Sequence, residues 1–245
     1  MDKHLQQRDI FWFWLPLFAS WLLMTAEGPI ITAAINRLPD EVVMLAAQGI
    51  VMSLSVMIES PVINMLATST ALVQDYASYR LVRRFTVHLA LLLTVVTILV
   101  AFTPLFHVVV VTWLEAPPEV ARWVKPGMQI MTLWSAAIAW RRFLQGIMIR
   151  FGQTRKVAWG TAVRLLASGG TVAGLALFTP WSGVIIGATA LMAGVIAEAI
   201  YATVAVRPLL RAELHPDNPP QFEEPQLEEP QLEEPQLEEP QLEEP

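Results

Sequence analysis

Long hydrophobic runs separated by short polar segments occupy the first 207 residues. The runs fall at about 11–35, 42–73, 85–106, 127–149, 157–178 and 183–206. At about 1.5 Å of rise per residue, each run is long enough to cross a hydrocarbon core of roughly 30 Å as a helix. The runs lack the apolar and polar alternation of barrel strands. The pattern therefore predicts an all-α polytopic membrane protein, with six transmembrane helices in a domain of residues 1–207.

The composition agrees with lipid as the surroundings of most of the chain. Of 245 residues, 54% are hydrophobic and 16% are charged, whereas soluble domains are about a quarter charged. The apolar run after Asp9 has no small-residue cleavage site, so it indicates a first span rather than a signal peptide. The chain has no cysteine, which excludes disulfides and thiolate metal sites.

Basic residues lie mainly in the segments that would share one side of the membrane. Ten of them lie in the N-terminus, the loops near 75–84 and 150–156, and residues 207–211, and only Arg37, Arg122 and Lys125 lie in the opposite loops. Positive charge favours the cytoplasmic side. We therefore expect an integral protein of the plasma (inner) membrane, with both termini cytoplasmic.

An acidic repeat forms the end of the sequence. From Glu213 onward there are 12 acidic and no basic residues, and four copies of Gln-Leu-Glu-Glu-Pro follow Gln221–Pro225. A proline in every fifth position removes helical hydrogen bonds, and neighbouring glutamates repel each other. Residues 208–245 are therefore predicted to be a disordered tail. It is either a spacer produced by repeat expansion or a docking motif for a basic partner.

Six ionisable residues fall well inside the predicted spans. They are Glu27, Glu59, Arg141, Arg142, Arg164 and Glu198. Each costs a few kcal/mol on insertion scales, so such groups normally face the interior of a bundle or a water-filled cavity. These residues are the candidate functional site.

Four of the six are expected in one layer. Counted from the cytoplasmic ends of their helices, Arg141, Arg142, Arg164 and Glu198 lie about 12–14 Å deep. The excess positive charge would suit an anionic group, and with Gln145 these four are candidate substrate-binding residues. Alternatively, Glu198 pairs with Arg164 while the other arginines extend towards lipid headgroups. The adjacent Arg141 and Arg142 point about 100° apart, which argues against both facing one cavity squarely.

The remaining two acids share a local sequence pattern. Glu27 and Glu59 are each followed by a small residue, a proline and two β-branched residues, the prolines being Pro29 and Pro61. Each proline frees a carbonyl group and can kink its helix beside the carboxylate. At about 24 and 21 Å of depth the acids could meet, and a close pair favours proton or cation binding. We interpret them as a cation-coupling site, the alternative being two simple hinges.

No arrangement of residues predicts an enzyme. The four histidines lack metal-ligand spacing, and no glycine-rich loop or nucleophile motif occurs. No catalytic residue, metal ligand or cofactor is predicted. The basic clusters lie in short loops, where topology accounts for them better than nucleic-acid binding does.

Three segments carry a resemblance to a known family. They are Phe143–Arg155 followed by Thr161–Leu165, Leu114–Ala121, and Pro61–Leu72. These segments resemble MATE-type transporters of the multidrug/oligosaccharidyl-lipid/polysaccharide exporter superfamily, and 27–54 is similar to its progressive ankylosis branch. The resemblance covers residues 10–206, which would correspond to one of two six-helix lobes. Many relatives carry an acid in helix one, to which Glu27 could correspond.

The resemblance implies a half-transporter. It would export or flip an organic or lipid-linked, anionic solute, coupled to H⁺ or Na⁺ through Glu27 and Glu59. A lone lobe would need a second copy or a separate partner chain. Two rivals remain: a truncated or degenerate transporter fragment without activity, and a non-transporting membrane scaffold whose tail recruits a cytosolic protein.

Overall fold

A computed structural model describes residues 6–214, which are helical apart from short connections. The helices are α1 (Gln7–Ile35), α2 (Glu41–Ile63), α3 (Met65–Leu72), α4 (Tyr76–Phe102), α5 (Pro118–Ile130), α6 (Trp134–Arg150), α7 (Thr154–Phe178) and α8 (Gly183–Glu213). A π-helical segment covers His107–Trp113, and a 3-10 turn at Met131–Leu133 joins α5 to α6. The all-α prediction is confirmed.

Five helical stretches in the described residues are long and apolar enough to cross a membrane. They are Gln7–Ile35, Glu41–Leu72, Tyr76–Phe102, Thr154–Phe178 and Gly183–Glu213. The fourth predicted span, at 127–149, is not among them, because the 3-10 turn at Met131–Leu133 divides it. The remaining helix, α6, has 17 residues and contains Arg141 and Arg142.

The interrupted segment nevertheless follows the second span along its whole length. Helix α5 packs against α2, and α6 packs against both α3 and α4. Close contact is possible because two glycines face the neighbouring helices. A Cβ added at Gly127 would lie 2.7 Å from Val51, and one added at Gly146 would lie 2.5 Å from the backbone oxygen of Leu66. Small residues of this kind allow membrane helices to approach closely.

The two prolines beside the membrane acids behave differently. Helix α1 continues through Pro29 to Ile35. Helix α2 ends two residues after Pro61, and α3 begins at Met65 beyond an interruption at Asn64. A proline removes one helical hydrogen bond in either position, but only the second span is broken here.

Helix α8 extends past the predicted end of the membrane domain. It continues through Pro208 to Glu213. The predicted domain boundary at 207 thus falls inside this helix. The repeat itself lies outside the described residues, so its disorder stays a prediction.

Large apolar side chains cover much of the outer surface of the helices. Examples are Trp21 at 58% exposure, Leu91 at 60% and Leu177 at 78%. Soluble proteins expose only small apolar patches, so this surface is not typical of a soluble protein. Trp113 is also exposed, and exposed tryptophan side chains of membrane proteins prefer the headgroup level. These surfaces fit contact with a lipid bilayer.

A capping box fixes the start of α4. The Asp75 carboxylate accepts hydrogen bonds from Ser78 N at 2.8 Å and Ser78 Oγ at 2.6 Å, and Ser78 Oγ accepts one from Asp75 N at 3.0 Å. These Ser78 hydrogen bonds lower the pKa of Asp75, since they favour the charged form. The cap lies at the boundary between a polar loop and an apolar helix.

Replacing Asp75 with alanine should lower the stability by about 1 kcal/mol at neutral pH, because the cap is lost. The stabilisation is complete above the unfolded pKa of about 3.9, and it disappears as the pH falls through the lower folded pKa. Denaturant titrations of Asp75→Ala and wild type at pH 7 and in acid measure the difference. Asp75→Asn is the control, because it retains an acceptor but does not titrate. A difference between wild type and Asp75→Ala that grows on acidification would contradict this account.

A buried charge network as the candidate functional site

The six ionisable residues singled out in the spans lie on five helices. Glu27 is on α1, Glu59 on α2, Arg141 and Arg142 on α6, Arg164 on α7 and Glu198 on α8. All except the half-buried Arg142 are at least nine-tenths buried, and Glu198 has no exposed surface. Buried charges require partners, and the structure provides them.

Glu198 is the centre of one half of the network. Arg141 Nη1 donates to Glu198 Oε2 at 2.6 Å, and Gln145 Nε2 donates to Oε1 at 3.0 Å. Thr161 Oγ1 lies 3.4 Å from the same Oε1, and Arg164 Nη1 lies 3.7 Å from Oε2. Four side chains from two other helices thus surround one carboxylate. A carboxylate has enough lone pairs to accept from all of them.

Glu27 and Arg164 form the other ion pair. Arg164 Nε lies 3.1 and 3.0 Å from the two oxygens of Glu27, and Nη2 lies 2.6 Å from Oε2. Paired contacts of this kind are the strong form of the arginine–carboxylate bond. Gly194 of α8 leaves the required space, since an added Cβ would lie 3.2 Å from Glu27 Oε1 and 3.0 Å from Ser168 Cβ.

Glu59 has a neutral partner. Trp134 Nε1 donates a hydrogen bond to Glu59 Oε2. The Arg164 guanidinium carbon lies 5.5 Å from the centre of the Trp134 ring, within the usual distance of a cation–π interaction. Trp134 therefore connects Glu59 to the Glu27–Arg164 pair. Glu59 also interacts electrostatically with Arg141, Arg142 and Arg164.

Glu27 and Glu59 do not pair directly, although the sequence suggested that they could meet. Each carboxylate has its own donor, Arg164 for Glu27 and Trp134 for Glu59, and the two donors contact each other. Counting residues placed Glu27 about 12 Å deeper than Arg164. That count treats the helices as upright and ignores the reach of an arginine side chain, so it missed the pair.

The predicted layer of excess positive charge also needs correction. Arg141, Arg164 and Glu198 do lie together, but Glu27 and Glu59 join the same network. The three negative charges of Glu27, Glu59 and Glu198 thus equal in number the three positive charges of Arg141, Arg142 and Arg164. Arg141 does not extend to the headgroups either, since only 3% of it is exposed.

A cavity of about 110 Å³ lies beside the network. Its lining includes the polar residues Arg141, Arg142, Gln145 and Thr161, together with residues of α1 such as Met24. Both adjacent arginines line this cavity, although their separation of about 100° argued against both facing one cavity squarely. The Nε atoms of Arg141 and Arg142 have no hydrogen-bond partner within residues 6–214.

Three residues of the site were missed in the sequence. Trp134 binds Glu59, Thr161 contacts Glu198, and Gly194 makes room for Glu27. A signal was available for Trp134, since it lies seven residues before Arg141 and therefore on the same helical face. Tryptophan and glycine carry no charge, so insertion cost did not mark Trp134 or Gly194 as candidate site residues.

Across residues 6–214, no three His, Asp or Glu side chains are grouped as metal ligands. No family model, curated protein or solved structure matches this chain.

Proposed function

We propose that this chain is one lobe of a membrane transporter or flippase that moves an organic or lipid-linked anionic solute, coupled to the movement of a cation. The observation that carries the proposal is the balanced network of three acids and three arginines beside a cavity. Six such groups each cost a few kcal/mol to place in a membrane. A protein with only an anchoring or scaffolding role has no need of them.

The anion would bind at the arginine side of the cavity. Arg164 and Arg141 each contact a carboxylate, whereas no carboxylate in the described residues lies within ion-pair distance of Arg142. Arg142 lines the cavity, and its guanidinium group would offer a planar set of donors that matches carboxylate or phosphate. At about 110 Å³ the cavity would hold the charged group of a ligand and leave the remainder outside.

The coupling cation would be a proton on Glu59. Glu27 and Glu198 are held by arginines, but the hydrogen bond of Glu59 comes from the neutral Trp134. Protonation of Glu59 would remove one of three negative charges that balance the arginines. The attraction of Arg142 for an anion would then increase, and anion binding would by linkage favour protonation. The proton and the anion would thus each strengthen the binding of the other.

The interrupted segment would supply a sixth crossing. Residues 118–150 pack along the second span from end to end, so the five continuous spans and this segment together would bring both termini to the cytoplasmic side. The resemblance to one MATE-type lobe fits this arrangement. A second copy of the chain, or a separate lobe, would then cover the open side of the network.

Transport in reconstituted vesicles tests the proposal. The full-length chain would be assayed for gradient-driven efflux of carboxyfluorescein and for movement of a fluorescent phosphatidylglycerol between leaflets. Glu59→Gln should lower the proton-driven rate at least about tenfold, because the proton site is lost. Glu27→Gln should also lower it, and the double variant should be little worse than either single one, since linked sites act together.

Exposed Glu119→Gln is the matched control, with the same change outside the network. Its rate should equal that of the wild type. Equal transport by wild type and the Glu27→Gln/Glu59→Gln double variant would overturn the coupling role. Absence of movement of both probes in the wild type would overturn the proposed anion transport.

A further inference from the structure

A second basic site lies at the start of α4, apart from the buried network. A cavity of about 300 Å³ is lined by Arg80, Arg83, Arg84, Val87 and His88. All five residues are exposed. Their spacing of three, four and seven or eight residues places them along one face of the helix.

The three arginines have no acidic partner in the described part of the chain. None of the ion pairs found in residues 6–214 involves Arg80, Arg83 or Arg84. Arg80 instead lies 5.8 Å from the Tyr76 ring centre. The nearest acid in sequence, Asp75, is held by Ser78. Three positive charges are thus grouped without a carboxylate partner among residues 6–214.

Apolar neighbours place this basic face at a membrane surface. Leu81 is 70% and Phe85 is 55% exposed, and the helix continues into Leu91 and Leu92 at about 60% exposure. His88 lies 12 residues along α4 from Tyr76, which is about 18 Å. A soluble nucleic acid or acidic protein would not follow the face so far into an apolar surface. A lipid can, because its headgroup and ester region span that depth.

We infer that this face binds a phospholipid whose terminal phosphate carries more than one charge. Guanidinium groups donate to phosphate oxygens in pairs, and three of them suit a dianionic phosphomonoester better than a singly charged diester. Arg80, Arg83 and Arg84 would hold the phosphate. His88, further along the helix, would donate to the glycerol ester region while the acyl chains lie against Phe85 and Leu92. The general attraction of basic segments to anionic leaflets adds to this contact.

Lipid titration of the full-length chain, followed by native mass spectrometry in detergent, tests the inference. Dioleoyl phosphatidate should bind at least about tenfold more tightly than dioleoyl phosphatidylglycerol, and phosphatidylcholine should bind least. The triple variant Arg80→Gln/Arg83→Gln/Arg84→Gln should lose this preference. Arg37→Gln/Arg122→Gln/Lys125→Gln is the control, since it removes three exposed charges from the opposite loops and should retain the preference.

A second variant keeps the positive charge of the loop, so that a change in lipid preference cannot be attributed to a failure of membrane insertion. Arg80→Lys/Arg83→Lys/Arg84→Lys keeps the positive charge of the loop but lacks the paired donors, so its preference for phosphatidate should fall at least about threefold. An unchanged preference in this variant would overturn the site. So would equal binding of phosphatidate and phosphatidylglycerol by the wild type, or competition by soluble glycerol 3-phosphate as strong as that of the lipid.

Discussion

Replacing Glu198 with leucine should destabilise the protein by about 3–5 kcal/mol. The change leaves the buried Arg141 without its carboxylate partner, and an unpaired buried charge is strongly unfavourable. It also removes the acceptor of Gln145. The effect would be measured as the shift of the unfolding midpoint in dodecyl sulfate titrations from mild detergent. Its expected size exceeds that of any surface substitution in this chain.

The Glu198→Leu/Arg141→Met double variant separates the pair from the rest of the network. It removes both charges and restores an apolar contact, so most of the lost stability should return. The exposed Glu119→Leu is the control and should change stability by less than about 0.5 kcal/mol. A Glu198→Leu variant as stable as the wild type would show that the carboxylate does not stabilise Arg141.

Replacing Gly146 with alanine should have the second largest effect, a loss of about 3 kcal/mol. The added Cβ would lie 1.9 Å from Ser69 Oγ and 2.5 Å from the backbone oxygen of Leu66. Backbone cannot move aside as a flexible side chain can, so α6 and α3 must separate. The hydrogen bond from Thr70 Oγ1 to the Gly146 oxygen at 3.1 Å would weaken as well. Thermal midpoints in the same detergent would show the loss.

Gly169→Ala is the matched control for this contact. Gly169 lies inside α7, and an added Cβ would meet nothing within 4 Å. Alanine there should be neutral or stabilising by up to about 1 kcal/mol, because it favours the helix. Combining Gly146→Ala with Ser69→Gly removes the closest clash and should recover part of the loss. Equal midpoints for the two alanine variants would contradict the close approach of α6 and α3.

Apolar runs were sufficient to locate the long helices. Helices α1, α4, α7 and α8 contain the predicted runs almost completely, because lipid-facing segments must be continuously apolar. The break between α5 and α6 was not predictable in this way. Its 3-10 turn consists of Met131, Thr132 and Leu133, three residues with no glycine or proline among them.

The candidate site was predictable in its members but not in its pairings. Insertion cost alone picked out Glu27, Arg141 and Arg164. Which acid meets which arginine depends on helix tilt and side-chain reach, neither of which sequence spacing contains. Glu27 thus pairs with Arg164 from α7 rather than with Glu59. The hydrogen bond from Trp134 to Glu59 was not predicted.

The order of the charges along the chain has a consequence for synthesis. Acids come first on α1 and α2, the arginines follow on α6 and α7, and Glu198 comes last on α8. During translation Arg141 emerges more than fifty residues before the carboxylate that it contacts. Helix α6 therefore has to stay at the translocon or beside earlier helices until α8 arrives. Helix α8 would then complete the charge network of the helices made before it.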